Sequence, residues 1–225
     1  MASEQNKIWK EFPHLILCEG ADAYYFMIWL LDDIKTQEKE FSVFRVYNFK
    51  GINELKSFLA SLIKLEGFED VVKSLTIIRD AETNAEGACQ SIKDTLASLK
   101  FAVPNSPCAP GKDQAVFYKD IVTGFLLFPS CSNSLENGTL EDLCVRILAD
   151  DHSTEILKDV ELSLDKYKNI LPRHHKNRLH MYFSFTDNYV SYKIGEAAKA
   201  KAFSYKKNEI LSLKNFLKQM LKESE

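Results

Sequence analysis

Ser74 to Gly87 reads SLTIIRDAETNAEG, and the fold turns on this stretch. An apolar, β-branched run leads straight into Asp80, Glu82 and Asn84, spaced by two. A run of this length with no polar alternation reads as a strand buried on both faces. The following NAEGACQSIKDTLASLK reads as a helix, with Ala88, Ile92, Leu96 and Leu99 on one side. The same grammar appears at PHLILCEGAD, Pro13 to Asp22: a strand over His14–Cys18, then Glu19, a glycine, and a helix from about Ala21. Asp22 falls in the first turn of that helix, where a negative charge suits the helix dipole. Between the two stretches, FSVFRVYNF (Phe41 to Phe49) reads as a strand. INELKSFLASLIKLEG reads as a helix with Leu55, Phe58, Leu59, Leu62 and Ile63 near the 3.6 period. Strand–helix three times over predicts an α/β fold: a Rossmann-like, mostly parallel sheet flanked by helices.

Beyond this unit, PNSPCAPG is a loop by its prolines and glycine. QAVFYKDIVTGFLLFP predicts two further strands or one bent strand, and the polar SCSNSLENG closes the sheet region. The division expected is an α/β core over 1–137 and a helical, basic C-terminal extension over 138–225, packed on the core. TLEDLCVRILADD opens with Thr139 as N-cap and Asp142 three residues on, a capping-box-like start. In STEILKDVELSLDKYKNIL, Ser153 is the expected N-cap and Pro172 the stop. RHHKNRLHMYFSF and SLKNFLKQMLKE read as further helices, the last one amphipathic.

The chain has 225 residues and a net charge of −3, unevenly spread. Residues 1–163 hold 16 Lys/Arg against 26 Asp/Glu, a balance of −10; residues 164–222 hold 13 against 4, a balance of +9; two glutamates in 223–225 restore −3. An acidic core beside a basic segment suits a cation site next to a surface for DNA or RNA, and it also suits plain solvated helix faces. Five cysteines, none at CxxC spacing, indicate neither a disulfide framework nor a zinc site. The most apolar block, YYFMIWLL, is well short of the roughly 20 residues that span a bilayer. MASEQNKIWKEF carries no apolar signal core, so a cytoplasmic protein without membrane contact is expected.

Ligands of open parallel α/β sheets bind outside the carboxyl ends of the strands. Glu19 ends the first strand; Asp80 and Glu82 end the third. Neighbouring strands would bring these carboxylates to one edge, where like charges push each toward its neutral form unless a cation is present. Oxygen ligands of this kind suit Mg²⁺ or Mn²⁺, which keep waters and accept substrate phosphate. The other reading is that Asp80 and Asn84 cap the next helix. Lys112, in the Gly-Lys-Asp loop, and Lys176, in RHHKNR, are candidate phosphate contacts or plain surface lysines. His174, His175 and His180 form no HExxH pattern and read as ordinary histidines. APGKDQAV lacks the spacing of a P-loop, and EGAD is not GxGxxG.

LILCEG followed some sixty residues later by LTIIRDAE resembles the TOPRIM domain shared by type IA topoisomerases, bacterial primases and OLD-family nucleases. The resemblance covers roughly residues 13–130. It implies Glu19 as the first-motif glutamate and Asp80 and Glu82 as the Asp-x-Asp pair, with Glu82 in place of aspartate. Asn84 falls where some members carry a third acid. NGTLEDL resembles a glutamate segment of the OLD-like branch and nominates Glu141 as a further metal ligand. The ending HKNRLHMYFSF…IGEAAKAKAF…LKNFL resembles a small bacterial TOPRIM-related family of unknown function.

The resemblance implies Mg²⁺- or Mn²⁺-dependent phosphoryl transfer on DNA or RNA, with Glu19, Asp80, Glu82 and Lys176 as the catalytic set. Nothing marks a topoisomerase tyrosine, and primase synthesis needs further domains. Hydrolysis of a phosphodiester, in the manner of a nuclease, asks least of this chain. OLD-like relatives often work beside an ATPase, so a partner ATPase is implied. The alternatives are a non-catalytic TOPRIM-like module that binds nucleic acid or a partner, and a hydrolase of small phosphate esters. Arg79 precedes Asp80 and, by strand alternation, is expected to face away from the site.

Overall fold

The computed structural model describes residues 12–149, 152–170 and 174–224, apart from the side chains of His174 and His175. Those two side chains, Pro172 and the N-terminal segment before Phe12 therefore lie outside the described residues. Four strands, β1 (His14–Cys18), β2 (Phe44–Asn48), β3 (Ser74–Asp80) and β4 (Val122–Phe128), form one all-parallel sheet in the order β2-β1-β3-β4. Helix α1 (Gly20–Ile34) leads from β1 to β2; α2 (Ile52–Leu62) and the short α3 (Phe68–Val71) lead back to β3; α4 (Ala85–Ser98) follows β3. After β4 come α5 (Leu140–Arg146), α6 (Ser153–Lys166), α7 (His174–Ser184), α8 (Ile194–Lys199) and α9 (Asn208–Glu223).

Alternation along the strands divides the core into two layers. Leu15, Leu17, Leu75, Ile77, Phe125 and Leu127 pack with α2, α3 and α4. Ile16, Cys18, Ile78, Leu126 and Phe128 pack with α1, α5, α7, α8 and α9. The described residues of 138–224 thus join α1 in the helical layer on one sheet face and share its hydrophobic cluster. Helix α9 lies so close over β4 that a Cβ on Gly124 would stand 2.6 Å from Met220 Sδ and 2.8 Å from Phe216 Cζ.

Three local expectations change. QAVFYKDIVTGFLLFP holds a single strand, β4; residues 114–120 run in turns, opened by Asp113 Oδ1 accepting from the Ala115 N–H at 2.8 Å. All seven residues of β4 are buried although it ends the sheet order, because the loop before it covers its outer side. There the N–H groups of Cys108 and Gly111 donate to Phe125 and Thr123 carbonyls. Strand β2 starts at Phe44 rather than Phe41, since Lys39–Val43 coil into a 3₁₀ turn that stacks Phe41 on Phe44. His152, not Ser153, takes the N-cap position of α6, and Ser153 is already helical. The capping box at Thr139 and Asp142 is present. Among the described residues, no helix is long and apolar enough to cross a membrane.

Candidate functional site

The chain leaves β1 by α1 on one sheet face and returns to β3 by α2 on the other. The crevice between the carboxyl ends of β1 and β3 is therefore a topological switch point, where open α/β sheets bind ligands. Glu19 and Asp80 stand on its two sides. In the observed register Cys18 lies beside Ile78, and the Glu19 N–H donates to the Ile78 carbonyl at 2.9 Å.

The two carboxylates turn to different layers. Asp80 follows Ile78 in alternation toward the α5 face, and its Oδ1 accepts from the Leu140 N–H at 2.8 Å, the first residue of α5. Glu19 turns toward α2, and its Oε1 accepts from the Ile52 N–H at 3.1 Å. Arg79 points away from Asp80, as alternation requires, but this is the side Glu19 occupies. Its Nε stands 3.2 Å from Glu19 Oε2, which corrects the expectation that Arg79 leaves the site alone. The reason is register: one residue beyond the Cys18–Ile78 pair, positions 19 and 79 are neighbours on one side. The Arg79 Nε–H is spent on the Asp80 carbonyl at 3.2 Å. Glu19 Oε2 consequently receives charge but no hydrogen bond, and is buried without a donor among the described residues.

Glu141 follows Leu140 on α5 and is buried, 4% exposed. Lys176 reaches it from α7, Nζ to Oε1 at 3.5 Å. Glu82 is exposed on the loop after β3, with a left-handed φ of +54°. Its N–H and carbonyl both bond Gly138, at 2.8 and 2.7 Å, which ties the β3 loop to the entry of α5.

Burial and the charges of Glu141, Glu82 and Glu19 push the Asp80 carboxyl up to about 7, against the opposing Leu140 hydrogen bond. Burial also raises Glu19, opposed by Arg79 and the Ile52 N–H and aided by Glu82. Asp22, on the first turn of α1, is raised by desolvation and by Glu141, against Lys176, His180 and Lys193. Asp22 and Arg79 thus belong to the site electrostatically, and the sequence reading assigned neither to it. Asn84 is the N-cap of α4, its Oδ1 accepting from the Gly87 N–H at 2.9 Å, so the capping alternative holds for Asn84. For Asp80 the bond runs to α5 instead. Lys112 stands elsewhere, donating to the Glu223 carbonyl at the end of α9. His180 is exposed.

The basic segment is partly committed to the fold. Lys214 and Lys218 clamp Glu38, and Arg178 pairs with Glu161. Lys193, Lys199, Lys201, Lys206 and Lys207 remain exposed.

The donor set suits a hard cation. It is oxygen only, and Glu19 Oε2 is a buried acceptor without a donor. Among the described residues, however, no three His, Cys, Asp or Glu side chains gather closely enough to hold an ion as they stand. No curated protein and no solved structure matches the chain. The family described as Protein of unknown function (DUF3226) matches residues 13–222, nearly the whole length. The chain belongs to the DUF3226 family.

Proposed function

We propose that the chain is a TOPRIM-like, Mg²⁺- or Mn²⁺-dependent phosphodiester-processing protein of nuclease type, acting on DNA or RNA. One observation carries this reading: the order β2-β1-β3-β4 sets Glu19 and Asp80 on adjacent strand ends at the switch point. Glu82 and Glu141 are close enough to act on Asp80 electrostatically. Glu19, Asp80, Glu82 and Glu141 would hold the ion, which would supply positive charge to the phosphate oxygens. Hydrolysis forms a bond from a water oxygen to phosphorus and breaks one P–O ester bond, whose leaving oxygen takes the bonding pair and a proton from bulk water. Glu19, raised by burial, is the base for the proton that water loses. Lys176, on the rim beside Glu141, offers a point charge to the phosphate.

The test is nicking of supercoiled plasmid in millimolar Mn²⁺. Wild type is expected to nick, while Asp80→Ala and Glu19→Gln do not. Nicking that survives in both variants, or that never occurs although Mn²⁺ binds, overturns the catalytic reading. A second reading draws on the Arg79–Glu19 pair, which already places a cation beside one of the acids. It makes the chain a non-catalytic module binding nucleic acid or a partner such as an ATPase. Salt-sensitive DNA binding without cleavage would support it.

A further inference from the structure

Beside the carboxylate edge, α1 and α8 enclose a cleft of about 390 Å³, within the size range of small-molecule sites. Its walls include Tyr25 and Trp29, one helical turn apart on α1, and Lys193 and Lys199 at the two ends of α8. The side of α1 that faces the sheet is filled by Phe26, Met27 and Leu30. Tyr25, 51% exposed, is thus not needed there, and Trp29 is only partly covered. Lys199 Nζ stands over the Trp29 ring, 5.1 Å from its centre. The floor is closely packed: the backbone at Gly195 runs so close to α1 that a Cβ would stand 2.5 Å from Tyr25 Cβ. Asp22 also lines the cleft and couples electrostatically to Glu141 and Lys176. The cleft thus adjoins the carboxylate edge through Asp22, three residues past Glu19 in the first turn of α1.

We infer that this cleft is a subsite for an unpaired nucleobase of single-stranded nucleic acid, stacked on Tyr25 and Trp29 with its flanking phosphates on Lys193 and Lys199. Aromatic faces beside lysines bind single strands because every base has a π-face and every linkage a charge. Asp22 and Glu196 do not suit phosphate, but they accept hydrogen bonds from base N–H groups, the imino N3–H of thymine and uracil included. Glu196 Oε2 already accepts the Lys193 N–H at 2.8 Å. A duplex buries its base faces in its own stack and must unstack to enter. The inference deepens the phosphodiester reading by naming a single strand as the substrate class.

The experiment uses the full chain in EDTA, so that it is independent of any metal. Fluorescence anisotropy follows a labelled oligo(dT), an oligo(rU) and a duplex of the same length. Trp29 emission is followed in a Trp9→Phe background, since the chain has two tryptophans. Both single strands should bind and quench Trp29, with the better of the two showing whether DNA or RNA is preferred. Tyr25→Ala, which keeps the Cβ that packs on Gly195, should weaken binding about tenfold, and Tyr25→Phe should leave it unchanged. Joint removal of Lys193 and Lys199 should lower the salt slope by about 1.4. Unquenched Trp29, wild-type affinity in Tyr25→Ala, or a duplex bound as tightly as the single strands each overturn the inference. Single-strand binding that persists where Mn²⁺-dependent nicking fails would separate this subsite from the catalytic reading.

Discussion

Asp80→Asn is the most informative single substitution. The Asp80 carboxyl stands at about 7 against an ordinary 3.8, chiefly from burial and then from Glu141. A folded-state value above the unfolded one means that the fold holds the proton more tightly. The associated stability is present below about pH 4 and is lost as pH rises through 7. The span corresponds to about 4 kcal/mol, the cost of keeping this group ionised in the fold at pH 8. Asparagine carries no such charge, and its Oδ1 can keep the Leu140 N–H. Its amide can donate to the neighbouring carboxylates. In urea unfolding, Asp80→Asn should be about 2–4 kcal/mol more stable than wild type at pH 8, and close to it at pH 4. Equal or lower stability of the variant at pH 8 refutes the account of a repelling carboxylate cluster. Adding Mg²⁺ at pH 8 then tests the ion. At a free concentration a hundred times Kd, wild type gains about 2.7 kcal/mol, and the variant should gain far less. A gap unmoved by Mg²⁺ would refute the ion site and leave the electrostatics standing.

Arg79→Met should cost about 3 kcal/mol at pH 8, because it strands the partly buried Glu19 charge. The loss should shrink at pH 4 and be largely recovered in the Arg79→Met/Glu19→Gln double variant, both read by urea unfolding. Glu141→Gln should lower the Asp80 pKa, seen in a carboxyl NMR titration, since Glu141 is the largest like charge acting on it. Gly124→Ala should destabilise by about 1–3 kcal/mol in thermal melts, by pressing on Met220 and Phe216, and Met220→Ala alongside it should relieve part of the strain. Asn84→Ala should cost about 1 kcal/mol through the lost cap of α4.

The parallel sheet is legible in the sequence because β1 and β3 are covered on both faces, so their apolar runs are unbroken and end abruptly at acids. The edge is harder to read. Strand β4 looks like a longer or doubled strand because a loop, not another strand, covers its outer side, and nothing local announces that. The short α8 has only six residues, too few for a period to show. Glu19, Asp80 and Glu82 are legible as acids after strands. The Arg79–Glu19 pair is not, because it depends on how two strands sixty residues apart align. Alternation correctly sends Arg79 away from Asp80, but only the register reveals that Glu19 waits on that side. Asp22 reads as a helix-dipole residue until α5 and α7 bring Glu141 and Lys176 toward it.

The two central acids are held by a shared device on opposite layers. Each carboxylate rests one oxygen on the first N–H of a helix, Glu19 on α2 and Asp80 on α5. Such N–H groups have no partner within their own helix and carry the positive end of its dipole. They offset each charge while leaving the other oxygen of each group available. Arg79 supplies further positive charge to Glu19 alone, since its Nε–H is committed to the Asp80 carbonyl. Among the described residues no cation acts comparably on Asp80, and the charges that shift it most are those of three acids, opposed by the Leu140 N–H. The deficit of positive charge is therefore greatest at Asp80 itself, since Glu141 on the same side already has Lys176 at 3.5 Å. In the proposed function an ion would enter there, against Asp80 and Glu141, and would draw Glu19 across from Arg79. This ordering separates the two acids experimentally: Glu141→Gln should weaken Mn²⁺ binding more than Glu19→Gln. The reverse ranking in a calorimetric titration would place the ion on the α2 side and contradict the charge argument.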